Sequence, residues 1–585
     1  MRSLTFLILI ICSFQAHANA SDELDALLQQ HWDWFLEQSP ETRTYRGETR
    51  GNDRWNNNSS EAIEQRYKQR AAFLDTLEEI DRNSLNAEQQ LNYDMFLRLL
   101  SLRQQRQDLG LHLMAMNMRT GPHTRYTISA YTRFETAEDY RMWLARMSAI
   151  PSYLQQQQAL LDEGIARKRV QPKVVIQRIP PQLDQMLETE TEANPFFKPF
   201  LTMPASIDKE EADKLRAEAM TVIETVVNPA YQNFRDYVAN VYLPACNPEP
   251  GIGSLPDGKD MYKFLAKQFT TTDLSPTEIH EIGKSEVARI LGEMNQVIDE
   301  VGFDGDIQAF NEFLRTDPQF YYETPEALYE AYLAVSKRLD PELVQLFGKL
   351  PRMPYGVTPI PEQIAPNTTT AYYQQPANNG TRAGYYYVNL HRPEVRPKYE
   401  MEVLSVHEAV PGHHLQIALA QELEGIPPFR TASRVTAFTE GWGLYSERLG
   451  YQMGLYQDPY SRYGQLVYDM WRAVRLVVDT GIHYFGWSRE RAIAYFKAHA
   501  AKSEADIVNE IDRYIGWPGQ ALAYKIGQLK ILELRAEAEK ALGADFDIRS
   551  FHDELLGAGA IPLDALERRM DRWLARQLAA APSAG

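Results

Sequence analysis

The segment His407-Glu408-Ala-Val-Pro-Gly-His413-His414 places three histidines and a glutamate within eight residues. Zinc peptidases usually carry two histidines one helical turn apart, with a glutamate beside the first as general base. Here the later histidines follow His407 by six and seven residues. In an unbroken helix His413 would point to roughly the opposite side, and His414 would lie about 10 Å away along the axis. The residue types predict a zinc site, but the spacing requires a break in helical geometry.

Pro411 and the glycine that follows it offer such a break. Proline lacks the N–H that would bond the carbonyl of His407 in a regular helix, so a bulge or broken turn can form there. A two-residue bulge would bring His413 to the place of the usual second histidine, and we therefore prefer His413 to His414 as the second ligand. The alternative is a helix that ends at Val410 and is followed by unrelated surface histidines.

The segment Thr439-Glu440-Gly-Trp-Gly-Leu-Tyr445-Ser-Glu447 is the expected source of a third ligand. Two histidines and one carboxylate leave zinc an open position for water, as a catalytic site requires. Glu440 and Glu447 are seven residues apart and share a helix face. We assign Glu440 to the metal, because the flanking glycine permits close approach, and Glu447 to a hydrogen bond that orients a ligand histidine. The alternative is a pair of ordinary surface glutamates.

Four ordered motifs together resemble one bacterial family: HEAVPGHHLQ, TEGWGLYSERLG, WRAVRLVVDTGIH and YIGWPGQALAYKIG. This is the domain-of-unknown-function family numbered 885, whose members are regarded as zinc metallopeptidases. The family is distantly similar to the helical gluzincins, such as thimet oligopeptidase and angiotensin-converting enzyme. The resemblance covers most of the chain and is strongest from about residue 370 onward. It implies a mainly α fold, a large helical body with a deep cleft, and Glu408 as the base that activates water.

The third motif carries four polar side chains at three- and four-residue steps, and these share one helix face: Arg472, Arg475, Asp479 and His483. The functional interpretation is that an arginine binds a substrate carboxylate while His483 donates to the oxyanion. Asp479 would then support one of the arginines from behind the site. The alternative is a buried ion network in which Asp479 pairs with either arginine.

The last motif contains Tyr514, Tyr524 and Lys525. Helical gluzincins use a tyrosine from this late region to stabilise the tetrahedral oxyanion, so the resemblance implies Tyr524 for that role. Tyr514 is the second choice. We also assign Tyr514 and Lys525 to substrate binding.

Residues 384–390 have the β-rich composition of a short strand that ends just before the metal helix. The sequence thus predicts a small β-sheet beside that helix. In zinc peptidases an edge strand at this place hydrogen-bonds the substrate backbone. Tyr386 and Tyr387 are therefore candidate substrate contacts, and the alternative is a plain buried strand.

Helical periodicity dominates the remaining sequence, in residues 61–100, 140–163, 209–242 and 277–300. Residues 169–178 are the other strand-like run. The proline- and glycine-rich residues 243–258 form either a linker or, as we prefer, an ordered loop that crosses one large body. We divide the chain into a signal peptide (1–20), an N-terminal helical region (21–245) and a zinc-binding catalytic region (246–585), the last two forming one continuous body.

The first twenty residues have the pattern of an export signal. Arg2 precedes an apolar run, and the small residues before Ser21 predict cleavage after Ala20. No later segment has eighteen uncharged apolar residues, so we expect a periplasmic or secreted protein without a membrane span. Cleavage would leave Cys246 as the one cysteine, which excludes an intrachain disulfide and a cysteine-ligated zinc.

The formal net charge of −18 argues against a nucleic-acid surface, which needs basic patches. The sequence therefore predicts an exported zinc-dependent peptidase that hydrolyses oligopeptides with metal-activated water and Glu408 as general base. One alternative is a non-catalytic periplasmic factor for peptide binding or assembly on a peptidase-like fold. Another is a zinc hydrolase of a non-peptide amide or ester. The sequence carries no indication of the oligomeric state.

Overall fold

Helices make up most of the chain, so the predicted mainly α fold is confirmed. The computed structural model describes residues 2–188, 190–362, 365, 369–377, 380, 382–501 and 503–580, with side chains from residue 20 onward. Two compact units are present: unit 1 comprises Met1–Met261 and Ile515–Trp517, and unit 2 comprises Tyr262–Tyr514 and Pro518–Gly585. The boundary expected between residues 245 and 246 lies upstream of this division.

Unit 1 consists of helices joined by short loops, 3-10 turns and π turns. Its α-helices are α1 (Arg2–Gln38), α2 (Pro40–Tyr45), α3 (Ser60–Glu78), α4 (Ala87–Asp108), α5 (Ala137–Ser148), α6 (Ile150–Ala166), α7 (Lys173–Ile176), α8 (Ile179–Leu187), α9 (Lys198–Leu201), α10 (Lys209–Val222), α11 (Asn228–Tyr237) and α12 (Leu243–Ala245). The periodic run 61–100 is divided into α3 and α4, because Asn86 caps a new helix by accepting from the backbone N–H groups of Glu88 and Gln89.

The strand predicted for residues 169–178 is wrong. These residues form one isolated bridge, Pro172 to Asn247, and then the short helix α7. Proline has no N–H to continue a ladder, so the pairing stops after Lys173 N–H donates to Asn247 O at 2.7 Å. The apolar run that suggested a strand instead buries Val175 and Ile176 completely from a helical turn.

Unit 2 contains the remaining helices and a small sheet. Its α-helices are α13 (Gly258–Thr270), which begins in unit 1, α14 (Pro276–Glu300), α15 (Ile307–Thr316), α16 (Pro325–Leu339), α17 (Leu343–Leu346), α18 (Met401–Glu408), α19 (His413–Gln421), α20 (Pro428–Ala432), α21 (Thr436–Leu449), α22 (Pro459–His483), α23 (Arg489–His499), α24 (Glu504–Gly516), which ends in unit 1, α25 (Ala523–Leu542), α26 (Ile548–Leu556) and α27 (Leu563–Ala580). The helix predicted for residues 277–300 is confirmed as α14, which Ser275 and Glu278 begin with a capping box.

Helix α22 forms the centre of unit 2 and is buried along most of its length. Helix α14 packs closely against α22 at Gly283, where a Cβ would lie 2.7 Å from Leu476 Cβ. Helices α21 and α25 also cross at glycines, since a Cβ on Gly527 would lie 1.9 Å from the carbonyl oxygen of Ala437. The second crossing packs the helix that carries Glu440 directly against the helix that carries Tyr524.

Within the described residues, unit 2 also has a sheet of three strands, β1 (Tyr355–Pro359), β2 (Ala371–Gln374) and β3 (Gly384–Val388). The predicted strand is confirmed as β3, but its expected edge position is wrong. The strand order is β1-β3-β2, with β1 parallel and β2 antiparallel to β3. Both sides of β3 are therefore paired, and β2 is an outer strand.

The substrate contact expected of Tyr386 is wrong, because this side chain lies in the core. Tyr386 is fully buried, with its hydroxyl 3.4 Å from Ser405 Oγ and its ring against Tyr332. Tyr387 is half-buried and stacks on Tyr372 of β2 at 4.8 Å between ring centroids. Its contact with substrate stays a prediction.

The sequence predicted a protein with a signal peptide and without a membrane span. Among the described residues, none of the helices has the length and apolar character needed to cross a bilayer. The signal peptide expected at 1–20 falls mostly on residues 2–19, whose side chains lie outside the described part. That signal stays a prediction.

Candidate metal centre

The helix that carries His407 stops one residue later, at Glu408. Helix α19 begins at His413, so residues 409–412 form a non-helical link, within which the peptide between Val410 and Pro411 is cis. The sequence predicted a bulge or a broken turn at Pro411, and the structure has a full break between the two helices. The break resolves the spacing problem, because the two histidines now lie on separate helices.

Gly412 makes the break possible. Its N–H donates to the carbonyl oxygen of Val406 at 2.9 Å, and a Cβ at this position would lie 2.0 Å from the carbonyl oxygen of His407. The indole N–H of Trp442 donates to the carbonyl oxygen of Pro411 at 2.8 Å. The link is thus tied to α21, the helix that carries the candidate third ligand.

Three side chains converge beside this link. One ligand atom each from His407, His413 and Glu440 lie within 4.8 Å of one another. Glu440 Oε2 is 3.9 Å from His407 Nε2 and 3.6 Å from His413 Nε2. Two ligands about 2 Å from one zinc at a tetrahedral angle are roughly 3.3 Å apart. The three side chains therefore fit a zinc site of two histidines and one carboxylate.

Glu447 lies behind His407. Its Oε1 is 2.8 Å from His407 Nδ1, and a hydrogen bond there directs the lone pair of Nε2 toward the other two side chains. Gly443 leaves room for the imidazole, since a Cβ there would lie 2.7 Å from His407 Cε1. Burial raises the pKa of Glu447 to about 8, against the opposing charge of Arg472, whose Nη2 is 3.7 Å away. The arrangement matches the role predicted for Glu447.

Glu408 follows the first histidine and is partly exposed. Burial raises the pKa of its carboxyl group, and the nearby carboxylate of Glu440 raises it further. His413 and a hydrogen bond from the backbone N–H of Tyr373 in β2 act in the opposite direction. A carboxylate with a raised pKa is a better proton acceptor. Glu408 thus lies near His413 and Glu440, and the pKa of its carboxyl group is raised.

His414 is occupied elsewhere. Its Nδ1 lies 2.9 Å from the hydroxyl of Tyr373, and its Nε2 lies 3.1 Å from the carbonyl oxygen of Met353. Since both nitrogens already have partners in the protein, His413 rather than His414 joins the ligand group. The predicted substrate contact of His414 is wrong for the same reason, because this histidine fastens α19 to the sheet region.

The structure brings both predicted arginines close to the centre. Their positive charges lower the pKa of His407, after the larger effect of its burial. Arg475 Nε donates to the hydroxyl of Tyr514 at 2.9 Å, and the Arg475 guanidinium lies 4.4 Å from the ring centroid of Tyr524. Arg475, Tyr514 and Tyr524 are therefore neighbours, and Arg472 lies one helical turn from Arg475 on α22.

The end of α22 does not serve the site as predicted. His483 is buried, and its Nε2 is 3.0 Å from the carbonyl oxygen of Tyr514, so its predicted donation to an oxyanion is wrong. Asp479 pairs with neither Arg472 nor Arg475. It accepts hydrogen bonds from the hydroxyl of Tyr262 at 2.6 Å and from the N–H of Gly519 at 3.0 Å.

Lys525 is likewise a structural residue, and its predicted contact with substrate is wrong. Its ammonium is almost fully buried and lies 2.5 Å from Asp469 Oδ1, 2.9 Å from Glu286 Oε2 and 2.8 Å from Gln528 Oε1. All three N–H donors are thereby used within the protein.

Sequence reasoning missed several residues that shape the site. Gly443 carried a signal, because glycine inside a helical motif points to close approach by a neighbour. Glu510 and Arg513 of α24 lie beside Arg475, and the backbone N–H of Tyr373 bonds Glu408. No local pattern marks these three, since only the fold brings them to the motif residues.

Solved structures with the same fold include two bacterial proteins. One, from Colwellia psychrerythraea, is described as a "putative lipoprotein"; it is 29% identical, with a TM-score of 0.88 over 95% of this chain and 99% of that one. The other, from Shewanella oneidensis, is described as a "putative lipoprotein of unknown function"; it is 17% identical, with a TM-score of 0.75 over 93% and 98% of the two chains. No curated protein matches the chain.

The family comparison covers both units. Residues 40–570 match the family described as "Bacterial protein of unknown function (DUF885)". This range includes the broken helix, the candidate ligands and the arginines of α22. The chain therefore belongs to the DUF885 family of bacterial proteins.

Proposed function

We propose that this protein is an exported zinc-dependent peptidase. The observation that carries the proposal is the convergence of His407, His413 and Glu440, with Glu408 beside them and Glu447 bonded to the first histidine. A structural zinc site is normally closed by four protein ligands, whereas three ligands and a free carboxylate are typical of a hydrolytic site.

Zinc held by these three side chains would polarise a substrate carbonyl and make water more acidic, which is the chemistry this ion supplies in hydrolases. The protein's own residues would do the rest. Glu408 takes a proton from the attacking water and later returns it to the leaving nitrogen. Glu447 keeps His407 in the tautomer that leaves Nε2 free. Tyr524 is the proposed donor to the oxyanion.

Export is part of the proposal. The N-terminal sequence has the charged start, apolar run and small residues of a signal peptide. The description of the similar Colwellia psychrerythraea protein as a putative lipoprotein agrees with a location outside the cytoplasm. Detection of a mature protein that begins at Ser21 in the periplasm would support this placement.

The Glu408→Gln variant tests the chemistry. We expect it to hold as much zinc as the wild type and to lose about 100-fold to 10,000-fold in kcat on a peptide library, because the amide cannot accept the proton. Glu424→Gln, on the exposed loop after α19, is the matched control and should keep full activity. Zinc content and product masses are measured for all three proteins. Peptide cleavage by Glu408→Gln at the wild-type rate would refute the assignment of the base.

A further inference from the structure

Three arginines are buried beside the candidate metal centre: Arg472 and Arg475 on α22 and Arg513 on α24. Arg472 reaches the centre through Glu447, whose Oε1 is 3.7 Å from Arg472 Nη2 and 2.8 Å from the imidazole of His407. Arg475 lies one helical turn further along α22, on the same face of the helix as Arg472.

Two of these guanidiniums have buried N–H groups without acceptors among the described residues. Arg475 Nε and Nη2 bond Tyr514 and Glu510, but Nη1 has no hydrogen-bond partner. Arg472 Nη1 bonds the carbonyl oxygen of Tyr468 at 3.3 Å, whereas its buried Nε has no partner. A buried donor without an acceptor costs roughly 1–3 kcal/mol, so a ligand that supplies acceptors would be favoured here.

Neighbouring carboxyl groups partner these arginines only in part. Glu510 is shared, with Oε2 3.3 Å from Arg475 Nη2 and Oε1 3.4 Å from Arg513 Nε. Glu447 lies beside Arg472. Among the described residues, neither carboxyl group bonds Arg475 Nη1 or Arg472 Nε, so these two N–H groups are the donors that an anionic group of a ligand would bond.

Aromatic rings hold Arg475 in place. Its guanidinium carbon lies 4.9 Å from the ring centroid of Trp471 and 4.4 Å from that of Tyr524. The hydroxyl of Tyr514 bonds Nε from the side. A guanidinium held between ring faces is fixed in orientation, and its planar edge matches the geometry of a carboxylate.

We propose that Arg475, with Arg472 beside it, binds a carboxylate of the substrate and so selects peptides that carry one near the scissile bond. This inference rests on the proposed peptidase function. The free C-terminus of a peptide and an acidic side group both present such a carboxylate. The first source would make the protein an enzyme that removes short C-terminal fragments, and the second would make it cleave near acidic residues.

Binding is measured first, on the zinc-loaded full-length protein with the Glu408→Gln substitution, so that turnover does not interfere. The probes are an acetylated alanine-leucine hexapeptide with a free C-terminus, its C-terminal amide, and the amide with one glutamate. We expect the carboxylate peptides to bind at least about tenfold more tightly than the plain amide by calorimetry, because a charged hydrogen bond contributes about 1.5–3 kcal/mol. Whichever carboxylate peptide binds more tightly identifies the source.

Adding Arg475→Met should abolish the preference, and Arg475→Lys should keep only part of it, because lysine retains the charge without the planar fork. Arg568→Met on α27 is the matched control and should keep the full preference; Arg568 is half exposed and paired with Asp564. Equal binding of all three peptides would overturn the inference. Circular dichroism checks whether the protein with Arg475→Met folds. If it does not, the inference is decided by comparing the free and the amidated peptides on the Glu408→Gln protein with Arg475 intact.

Hydrolysis by the zinc-loaded wild type separates this inference from the proposed function. If no probe or library peptide is cleaved while the carboxylate preference persists, the peptidase proposal fails and the carboxylate site stands. If all peptides are cleaved with the same kcat/KM whether free or amidated, the peptidase proposal stands and the carboxylate site fails.

Discussion

Two groups of polar residues in unit 2 lie on different sets of helices and differ in how their charges are matched. In the ion network, Asp469 of α22 bonds Lys525 of α25 and Arg289 of α14, and Glu286 contacts both cations. At the candidate metal centre, one ligand atom each from His407, His413 and Glu440 instead lie within 4.8 Å of one another. The charges of the first group neutralise one another, whereas the second group brings together three side chains of types that ligate metals. A cluster of charged residues therefore indicates a binding site only when its charges are not already neutralised by neighbouring side chains.

The pKa values of two aspartates on α22 sharpen this comparison. Burial alone would raise the pKa of Asp469, but Lys525 and Arg289 lower it to about 2. Asp479, ten residues further along, is equally buried, and its hydrogen-bond donors among the described residues are Tyr262 and Gly519. Burial raises its pKa to about 7. Buried carboxyl groups on one helix thus differ in charge because their partners differ.

The largest expected effect comes from removing a ligand. His413→Ala should lose stoichiometric zinc, measured by mass spectrometry of the metal, because the remaining two side chains cannot hold the ion tightly. Activity should disappear with it. His391→Ala is the matched control, since this exposed histidine lies outside the ligand group. Full zinc content in His413→Ala would show that the three converging side chains are not the binding site.

Breaking the ion network should affect stability rather than metal binding. Lys525→Met leaves Asp469 and Glu286 without their shared cation, which we expect to destabilise the fold by about 3–5 kcal/mol. Urea unfolding measures this loss, and zinc content per folded molecule should stay unchanged. If Lys525→Met unfolds like the wild type but loses zinc, Lys525 serves the candidate metal centre rather than the stability of the fold.

Asp479→Asn tests the unpaired carboxyl group through pH. The unfolded protein releases this proton near pH 3.8, whereas the folded protein keeps it until about pH 7. Between these values the folded state binds the extra proton, so stability falls as pH rises, by up to about 1.4 kcal/mol per pH unit. Asparagine should remove this slope. Urea unfolding of both proteins at pH 5, 6 and 7 measures it, and identical slopes would contradict the raised pKa.

The smallest effect is expected from a change at Glu447, which lies behind the ligand histidine His407. Glu447→Gln keeps the shape of the side chain but replaces the ionisable carboxyl group bonded to His407 with an amide, which is a weaker acceptor, and we expect zinc affinity to fall about 10-fold to 100-fold. Competition with a zinc chelator measures the change. Glu402→Gln, on the same helix as His407 but part of another contact, should show none. Unchanged affinity in Glu447→Gln would mean that its hydrogen bond is structural only.

Much of the site followed from local residue chemistry. His407, Glu408, His413, Glu440 and Glu447 were identified because zinc ligands, a base and an orienting carboxylate require those residue types at short spacing. Pro411 marked the place where the helix breaks. Several assignments failed because the side chains are buried against other elements, among them His483 and Lys525 on helices and Tyr386 on β3. Their spacing gave the helix face, but not the element packed against it.

The sequence by itself determined the helical character, the position of the break and the candidate ligands, because each depends on residues within a few turns of one another. Only the tertiary structure decided that His413 rather than His414 meets Glu440, that β3 lies in the centre of the sheet, and that Arg513 and Glu510 join Arg475. These outcomes depend on which helices and strands pack together, and packing is set by the close contacts of residues far apart in the sequence.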